Sequence, residues 1–458
     1  MAETVVFVPG IMGSQLYLEN DIIWPGTPAE LLFPYQKMGQ LLNPNLRVGD
    51  IIRSVSIANQ YASLIAAFKQ CGFDEKATPA TLIVCPYDWR KDNRLAAELL
   101  AEHVKKLRVD HGVDVVINIV AHSMGGLVGR YFLESGIYTE ANCQGFEQVR
   151  RLITIGTPHR GAPLALCAAM GQIKRLFLNA QQVKQIADKD DFPALYQLMP
   201  PKSEPYLWNT DPEARLEPAN LYEDDTAKVL GLNAKNLASA EAFHSALDTT
   251  KKPKGIVYFC FIGTRQNTIC NVQGNFAFKD GNGRAYVNGP RPEGVDIADG
   301  GDGTVPSWSA SIAGMQQLAV GGDHGTLYKT PEVLRTLGAL LGKQGVLSSE
   351  IRPDHVRISM RDEVVSPQSK QPVVLFFNQP TGHLDVEIVV VKLTGSDGNE
   401  LAAPSVISRM PVSYDGAPID TLGLTIDAPQ FAGVYEFDIQ VKGISVVENH
   451  AKLIVQLD

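Results

Sequence analysis

Val116-Ile117-Asn118-Ile119-Val120-Ala121-His122-Ser123-Met124-Gly125-Gly126-Leu127-Val128 is the stretch whose reading decides the fold. Its opening residues are apolar apart from Asn118 and read as a strand covered on both faces. Leu127, Val128, Tyr131, Phe132 and Leu133 then recur at helical spacing. Between strand and helix, Ala121–Gly126 leaves room only for a sharp turn. This matches the G-x-S-x-G elbow with Ala121 in place of the first glycine, in which a strained strand-to-helix turn lifts a serine hydroxyl above the sheet. Small residues at Ala121 and Gly125 suit a turn past which other backbone runs closely. The helix N-terminus adds positive potential where an oxyanion would form. A serine here also reads as a plain helix N-cap; the flanking strand and helix favour the nucleophile.

Working outward, Val5–Val8, Thr81–Cys85, Leu152–Ile155, Ile256–Ile262 and Gln317–Val320 repeat the pattern of short, continuous apolar strands. Helical stripes separate them: Ile57, Tyr61, Leu64, Ile65 and Phe68; then Leu95, Leu99, Val104 and Leu107; then Thr330-Pro331 opening a helix through Leu334, Leu337 and Leu341. Alternating strands and helices predict an α/β fold with a mostly parallel sheet. Two irregular stretches, about residues 17–50 and 171–254, read as a lid and a cap. After Gly342 the character changes. Residues 345–353 read as a linker, and 354–458 as a small β-sandwich-like domain of turn-bounded strands. The catalytic α/β domain is therefore expected over residues 1–344.

Composition narrows the function. The chain has 458 residues, 45% hydrophobic and 20% charged, enough for a large core and too long for one ordinary domain. Its 41 Lys+Arg against 50 Asp+Glu, with no basic run, argue against nucleic-acid binding. No apolar run approaches the roughly 18 residues of a membrane span, and no leader pattern is visible, so a cytoplasmic location is expected. Six scattered cysteines without C-x-x-C spacing point to reduced, buried thiols rather than zinc or redox chemistry. No cofactor and no metal are expected.

A nucleophilic serine needs a base and the base an orienting carboxylate, in the chain order Ser, acid, His for this arrangement. His324, in Gly321-Gly322-Asp323-His324-Gly325 directly after a strand, fits the base, with His159 second and His122 structural. Asp302, in Gly301-Asp302-Gly303-Thr304-Val305-Pro306, fits the acid; Asp299, Asp296 and Asp323 compete. The Asp296, Asp299, Asp302 spacing lacks the pattern of a calcium loop. For the oxyanion hole, the Met124 amide and the Ile11 amide in Pro9-Gly10-Ile11-Met12-Gly13-Ser14 are the candidate donors.

These residues carry a resemblance. Val8–Ser14, Cys85-Pro86-Tyr87-Asp88-Trp89-Arg90, Ala121–Gly126, Gly156-Thr157-Pro158 and Gly301–Pro306 occur in the order seen in the lecithin:cholesterol acyltransferase family, which includes lysosomal phospholipase A2 and the phospholipid:diacylglycerol acyltransferases. The similarity spans roughly residues 4–340. It implies an α/β-hydrolase fold, a Ser123–Asp302–His324 triad with Ile11 and Met124 as the oxyanion hole, and acyl transfer from a lipid ester to water or an alcohol, at a membrane or lipid-droplet surface. It also implies that the residue 17–50 stretch includes a lid, although no cysteine pair staples it here. Trp24 would then touch either lipid or core, and Asp88 with Arg90 form a structural ion pair. The competing reading is a non-catalytic scaffold on a hydrolase fold.

Overall fold

The computed structural model describes residues 2–55, 58–59, 61–210, 217–274, 276–277, 286–287, 292–343, 356–360, 362–395, 397–441 and 450–457. The expected linker, 345–353, and Ile57 of the first helical stripe lie outside them. Six strands build the central sheet: β1 (Glu3–Val8), β2 (Leu82–Val84), β3 (Val116–His122), β4 (Val149–Ile155), β5 (Val257–Thr264) and β6 (Gln316–Gly321). They are the six apolar runs read from the sequence. Their order is β6-β5-β4-β3-β1-β2, and every neighbouring pair is parallel.

The register decides where the loops meet. β1 and β3 run paired as far as Val8↔Ala121, β3 and β4 as far as His122↔Ile155, and β5 and β6 as far as Thr264↔Gly321. Parallel strands end on the same side, so the loops at Pro9, Ser123, Gly156 and Gly322 all leave the carboxyl edge of the sheet, where open α/β sheets bind their ligands.

Helices cover both faces: α1 (Ala62–Gln70), α2 (Asn93–His111), α3 (Met124–Glu134) and α4 (Pro331–Leu340). Alternate strand residues feed two cores. Val5 and Phe7 pack with Leu64 and Phe68 of α1 and Leu337 of α4, whereas Val6 and Val8 join Leu100 and Val104 of α2 and Leu127 of α3. The stripe expected on α2 is rotated. Leu95 and Leu99 are exposed, and Ala97, Leu100, Ala101, Val104 and Leu107 face the sheet. Alanines let this helix lie close to the strands, so the buried face is the one with the smaller side chains.

The stretch expected to form a lid is built on an antiparallel sheet of Ser14–Leu18, Asp21–Trp24 and Arg47–Ile51. Trp24 is fully buried, packs edge-on against Trp89 and Phe177, and donates its indole N–H to the Met12 carbonyl at 2.9 Å. Of its two readings, core is the one observed. The stretch expected to form a cap contains helices at Ala180–Ala187 and Ala234–Ser245; Phe243 of the latter stacks on Tyr131 of α3 at 5.3 Å.

The C-terminal strands β7 (Val356–Met360), β8 (Lys370–Thr394), β9 (Glu400–Asp427), β10 (Gly433–Val441) and β11 (His450–Val455) form one curled, mainly antiparallel sheet. The apolar stretches at residues 373–377 and 386–393 both belong to the single strand β8, which pairs with β9 along a long hairpin. The sheet closes over its own core of Val373, Leu375, Ile388, Phe437 and Leu453. Val364, Val434 and Ile454 instead join the α/β core, so the two regions share apolar packing.

Asp88 and Arg90 form the expected ion pair, with guanidinium contacts of 2.9 and 2.7 Å and side chains 8% and 0% exposed. Arg90 also donates to the carbonyls of Leu41 and Asn43, tying the end of the lid stretch to the loop after β2. Removing the cation leaves a buried carboxylate uncompensated. Arg90→Met is expected to destabilise the protein by about 3–5 kcal/mol, measured as a lowered urea midpoint.

Candidate active site

Ser123 occupies the bend between β3 and α3 at φ 52° and ψ −127°, a conformation that costs an L-residue on the order of 1–3 kcal/mol. The turn is held from outside. The Ser123 amide donates to the Ile155 carbonyl at 2.9 Å, and the Thr157 hydroxyl donates to the Ser123 carbonyl at 2.9 Å. A Cβ at Gly125 would lie 2.5 Å from the carbonyl oxygens of Val8 and Pro9, and one at Gly126 would lie 2.1 Å from the Thr157 hydroxyl. Ala121 is fully buried in β3. Gly125 is therefore demanded by backbone approach and Gly126 by the Thr157 side chain.

Ser123 makes no side-chain capping bond to α3. Its hydroxyl lies 2.8 Å from His324 Nε2, and His324 Nδ1 lies 2.8 Å from Asp302 Oδ2. A carboxylate only accepts, so Nδ1 carries the imidazole proton and Nε2 is left as the acceptor for the serine O–H. Asp302 is fixed by its other oxygen, which accepts the amides of Thr304 (3.0 Å) and Val305 (2.7 Å). The His324 amide donates to the Asp302 carbonyl at 2.9 Å, binding the two loops together. Ser123 is 4% exposed and Asp302 1% exposed, a setting in which hydrogen bonds are strong and water is scarce.

The competing residues lie elsewhere. Asp296 and Asp299 are exposed on the strand Glu293–Gly301, and Asp323 turns its carboxylate to the hydroxyls of Thr326 and Ser359. His159 is buried beside Thr154, 3.1 Å from its hydroxyl, and burial followed by the nearby Arg130 charge holds it well below its ordinary range. His122 is buried too, but at the site. Its Nε2 donates to the His324 carbonyl at 3.1 Å, and its Nδ1 accepts from the Tyr61 hydroxyl at 2.8 Å. Burial, then the neighbouring His324, pushes its pKa far down, as a ring that must keep one nitrogen lone pair free requires.

Tyr61 in turn accepts the Gly10 amide at 3.0 Å. The Gly10 N–H is thus engaged, and the first amide of the turn left over is that of Ile11. Neither the Ile11 nor the Met124 amide meets an acceptor among the described residues. The turn itself is closed by the Gly13 amide on the Gly10 carbonyl at 3.1 Å, with Met12 at φ 63°. From the sequence Tyr61 appeared only as a member of an apolar stripe; nothing in its spacing marks it as the link between His122 and the Gly10 turn.

The parallel sheet, the strained serine turn and the loops gathered at its carboxyl edge define an α/β-hydrolase fold. Residues 52–251 match the family described as lecithin:cholesterol acyltransferase. The resemblance carried by the sequence motifs is borne out by that match and by two curated relatives that bear the family's name. Among curated relatives, it is 26% identical over 316 residues to lecithin-cholesterol acyltransferase-like 4 of Arabidopsis thaliana, covering 58% of this chain and 56% of that protein. It is 24% identical over 326 residues to phospholipase A(1) LCAT3 of the same plant, covering 62% and 70%. Thus it spans little more than half the length of the first relative. Among solved structures, the Tle4–Tli4 complex contains a chain alike in fold, with a TM-score of 0.51 at 15% identity over 76% of this chain and 99% of that one.

Among the described residues no helix is long and apolar enough to cross a membrane. All six cysteines are free, and all but Cys270 are buried.

Tyr61→Phe deletes the acceptor of the Gly10 amide and the donor to His122 without opening a cavity. Leaving such buried groups unpaired costs about 1–3 kcal/mol, so chemical denaturation is expected to show a loss in that range.

Proposed function

We propose that this protein is a serine-dependent acyl-ester hydrolase or O-acyltransferase acting on lipid esters. The observation that carries the reading is the hydrogen-bond relay from Ser123 through His324 to Asp302 at 2.8 Å in each link. The family match and the names of both relatives support a lipid ester as the acyl donor.

The mechanism follows from the proton positions. His324 Nε2 takes the Ser123 proton as the serine oxygen attacks the ester carbonyl, and Asp302 stabilises the imidazolium that forms. The developing oxyanion is held by the Ile11 amide of the turn after β1 and the Met124 amide at the N-terminus of α3, each donor worth about 10²–10³ in rate. His324 then returns the proton to the leaving alcohol. Water or an acceptor alcohol resolves the acyl-enzyme by the same steps in reverse, so hydrolysis and transfer use the same residues.

The near-complete burial of Ser123, 4% exposed, supports a cover that shifts to admit a lipid ester. In the proposed lid, about residues 17–50, Trp24 is anchored in the core and Phe33 is the exposed large apolar side chain, 45% accessible. Phe33 is accordingly the better candidate for contact with a lipid surface.

Two experiments test the reading. Wild type and Ser123→Ala are offered mixed phospholipid and triacylglycerol vesicles with and without a long-chain alcohol, and products are followed by mass spectrometry. Serine-dependent fatty acid or new ester is expected; product that survives Ser123→Ala rules out the acyl-enzyme. The second uses Asp302→Asn. Because Oδ1 accepts two backbone amides, the new amide oxygen must take that place and its NH₂ must face His324 Nδ1. The imidazole then carries its proton on Nε2 and cannot accept from Ser123. kcat is expected to fall by about 10³–10⁴ with the fold intact; a rate near wild type would move the acid elsewhere.

A further inference from the structure

We infer that Ser359, in strand β7 of the C-terminal sheet, is a positioning residue for the site, joining the loop that carries His324 to the loop that carries Asp302. The inference rests on the proposed roles of Ser123, His324 and Asp302.

On the histidine side, the Ser359 hydroxyl donates to Asp323 Oδ2 at 2.7 Å, the oxygen that also accepts the Thr326 hydroxyl. The Asp323 carbonyl accepts the amides of Thr326 (3.2 Å) and Leu327 (2.9 Å). Residue 323 is therefore held through both its side chain and its backbone, and the next residue is His324, itself bonded through its amide to the Asp302 carbonyl. On the acid side, Ser359 Oγ accepts Gln266 Nε2–H at 3.1 Å. Gln266 is paired in register with Gly301, the residue before Asp302. Its carbonyl accepts the Thr268 hydroxyl at 3.0 Å, and that hydroxyl accepts the Gly303 amide, the residue after Asp302, at 2.8 Å.

One hydroxyl thus donates to one loop and accepts from the scaffold of the other. A serine satisfies both at once because its oxygen is donor and acceptor together. The join is buried: Ser359 is 5% exposed, Gln266 7% and Thr268 0%, so its bonds are not traded for water. Two other polar contacts between the regions are of a different kind. Lys174–Asp362 at 3.9 Å and Arg265–Asp420 at 3.3 Å are partly exposed ion pairs, the sort that fixes geometry weakly. Through Ser359 the C-terminal sheet reaches both the His324 loop and the scaffold of the Asp302 loop.

The test uses the full chain and a soluble short-chain p-nitrophenyl ester, which removes lipid binding from the measurement. Misplacing a reacting group by about 1 Å costs up to about 10²-fold. Ser359→Ala is expected to lower kcat by about 10- to 100-fold with KM within about twofold of wild type. Ser359→Thr, which keeps the hydroxyl, is expected to retain most of kcat, and Lys174→Ala, which cuts a contact between the same regions, to retain all of it. Unchanged kcat in Ser359→Ala, a loss confined to KM, or an equal loss in the alanine and threonine variants would each overturn the inference. If Ser359→Ala does not fold, Asp323→Ala, which removes the acceptor of the Ser359 hydroxyl, decides: a folded variant with wild-type kcat overturns the inference, and the same kcat loss supports it. Failure of the underlying reading is separate, since it shows as wild-type hydrolysis absent or untouched by Ser123→Ala.

Discussion

The approach of the α3 N-terminus to the end of β1 is the constraint on which the rest of the site depends. With a methyl group at Gly125 only 2.5 Å from the carbonyls of Val8 and Pro9, the helix could not start where it does. Because it does start there, the turn Gly10–Gly13 lies beside Ser123, and a Cβ on Gly10 would meet that of the serine at 2.9 Å. The same crowding forces Ser123 to φ 52°. A backbone so strained persists only when its surroundings over-determine it. Ile155, Thr157 and the β1–β3 register supply that determination.

Around this point the protein places a buried polar network in which nearly every group has a fixed direction of donation. Gly10 donates to Tyr61, Tyr61 to His122, and His122 to the carbonyl of His324. The chain works only with a neutral His122, and burial keeps it neutral. It connects the Gly10–Gly13 turn to the loop of His324. Polar networks of this kind rigidify a site when fully satisfied, and their removal leaves costly unpaired groups.

The C-terminal sheet meets the α/β region on several sides. Besides Ser359, its last residues reach the lid stretch: Gln456 donates to the carbonyls of Leu31 and Phe33, and the Leu457 amide donates to Leu32. The segment bearing the exposed Phe33 is therefore attached to the C-terminal strands, and the histidine loop is attached to β7. The segment around Phe33 and the loop of His324 are thus both bonded to one sheet.

Much of this was legible in the sequence. The six parallel strands, the serine elbow and the histidine and aspartate loops announce themselves because each needs a local pattern: continuous apolar runs for strands covered twice, glycine where backbone crowds, Asp-Gly and Gly-His after strand ends. The buried face of α2 was not legible, since Leu95 and Leu99 look like core and the alanines that pack there carry no mark. Nor were Tyr61, Gln266 and Ser359, whose partners are 51, 93 and 36 residues away. The sequence by itself determined which local structures form and which side chains can do chemistry, because those depend on neighbours in the chain. Only the tertiary structure decided which carboxylate faces His324, which amides remain for an oxyanion and which hydroxyl joins the loops, because a hydrogen bond is set by distance and direction in space.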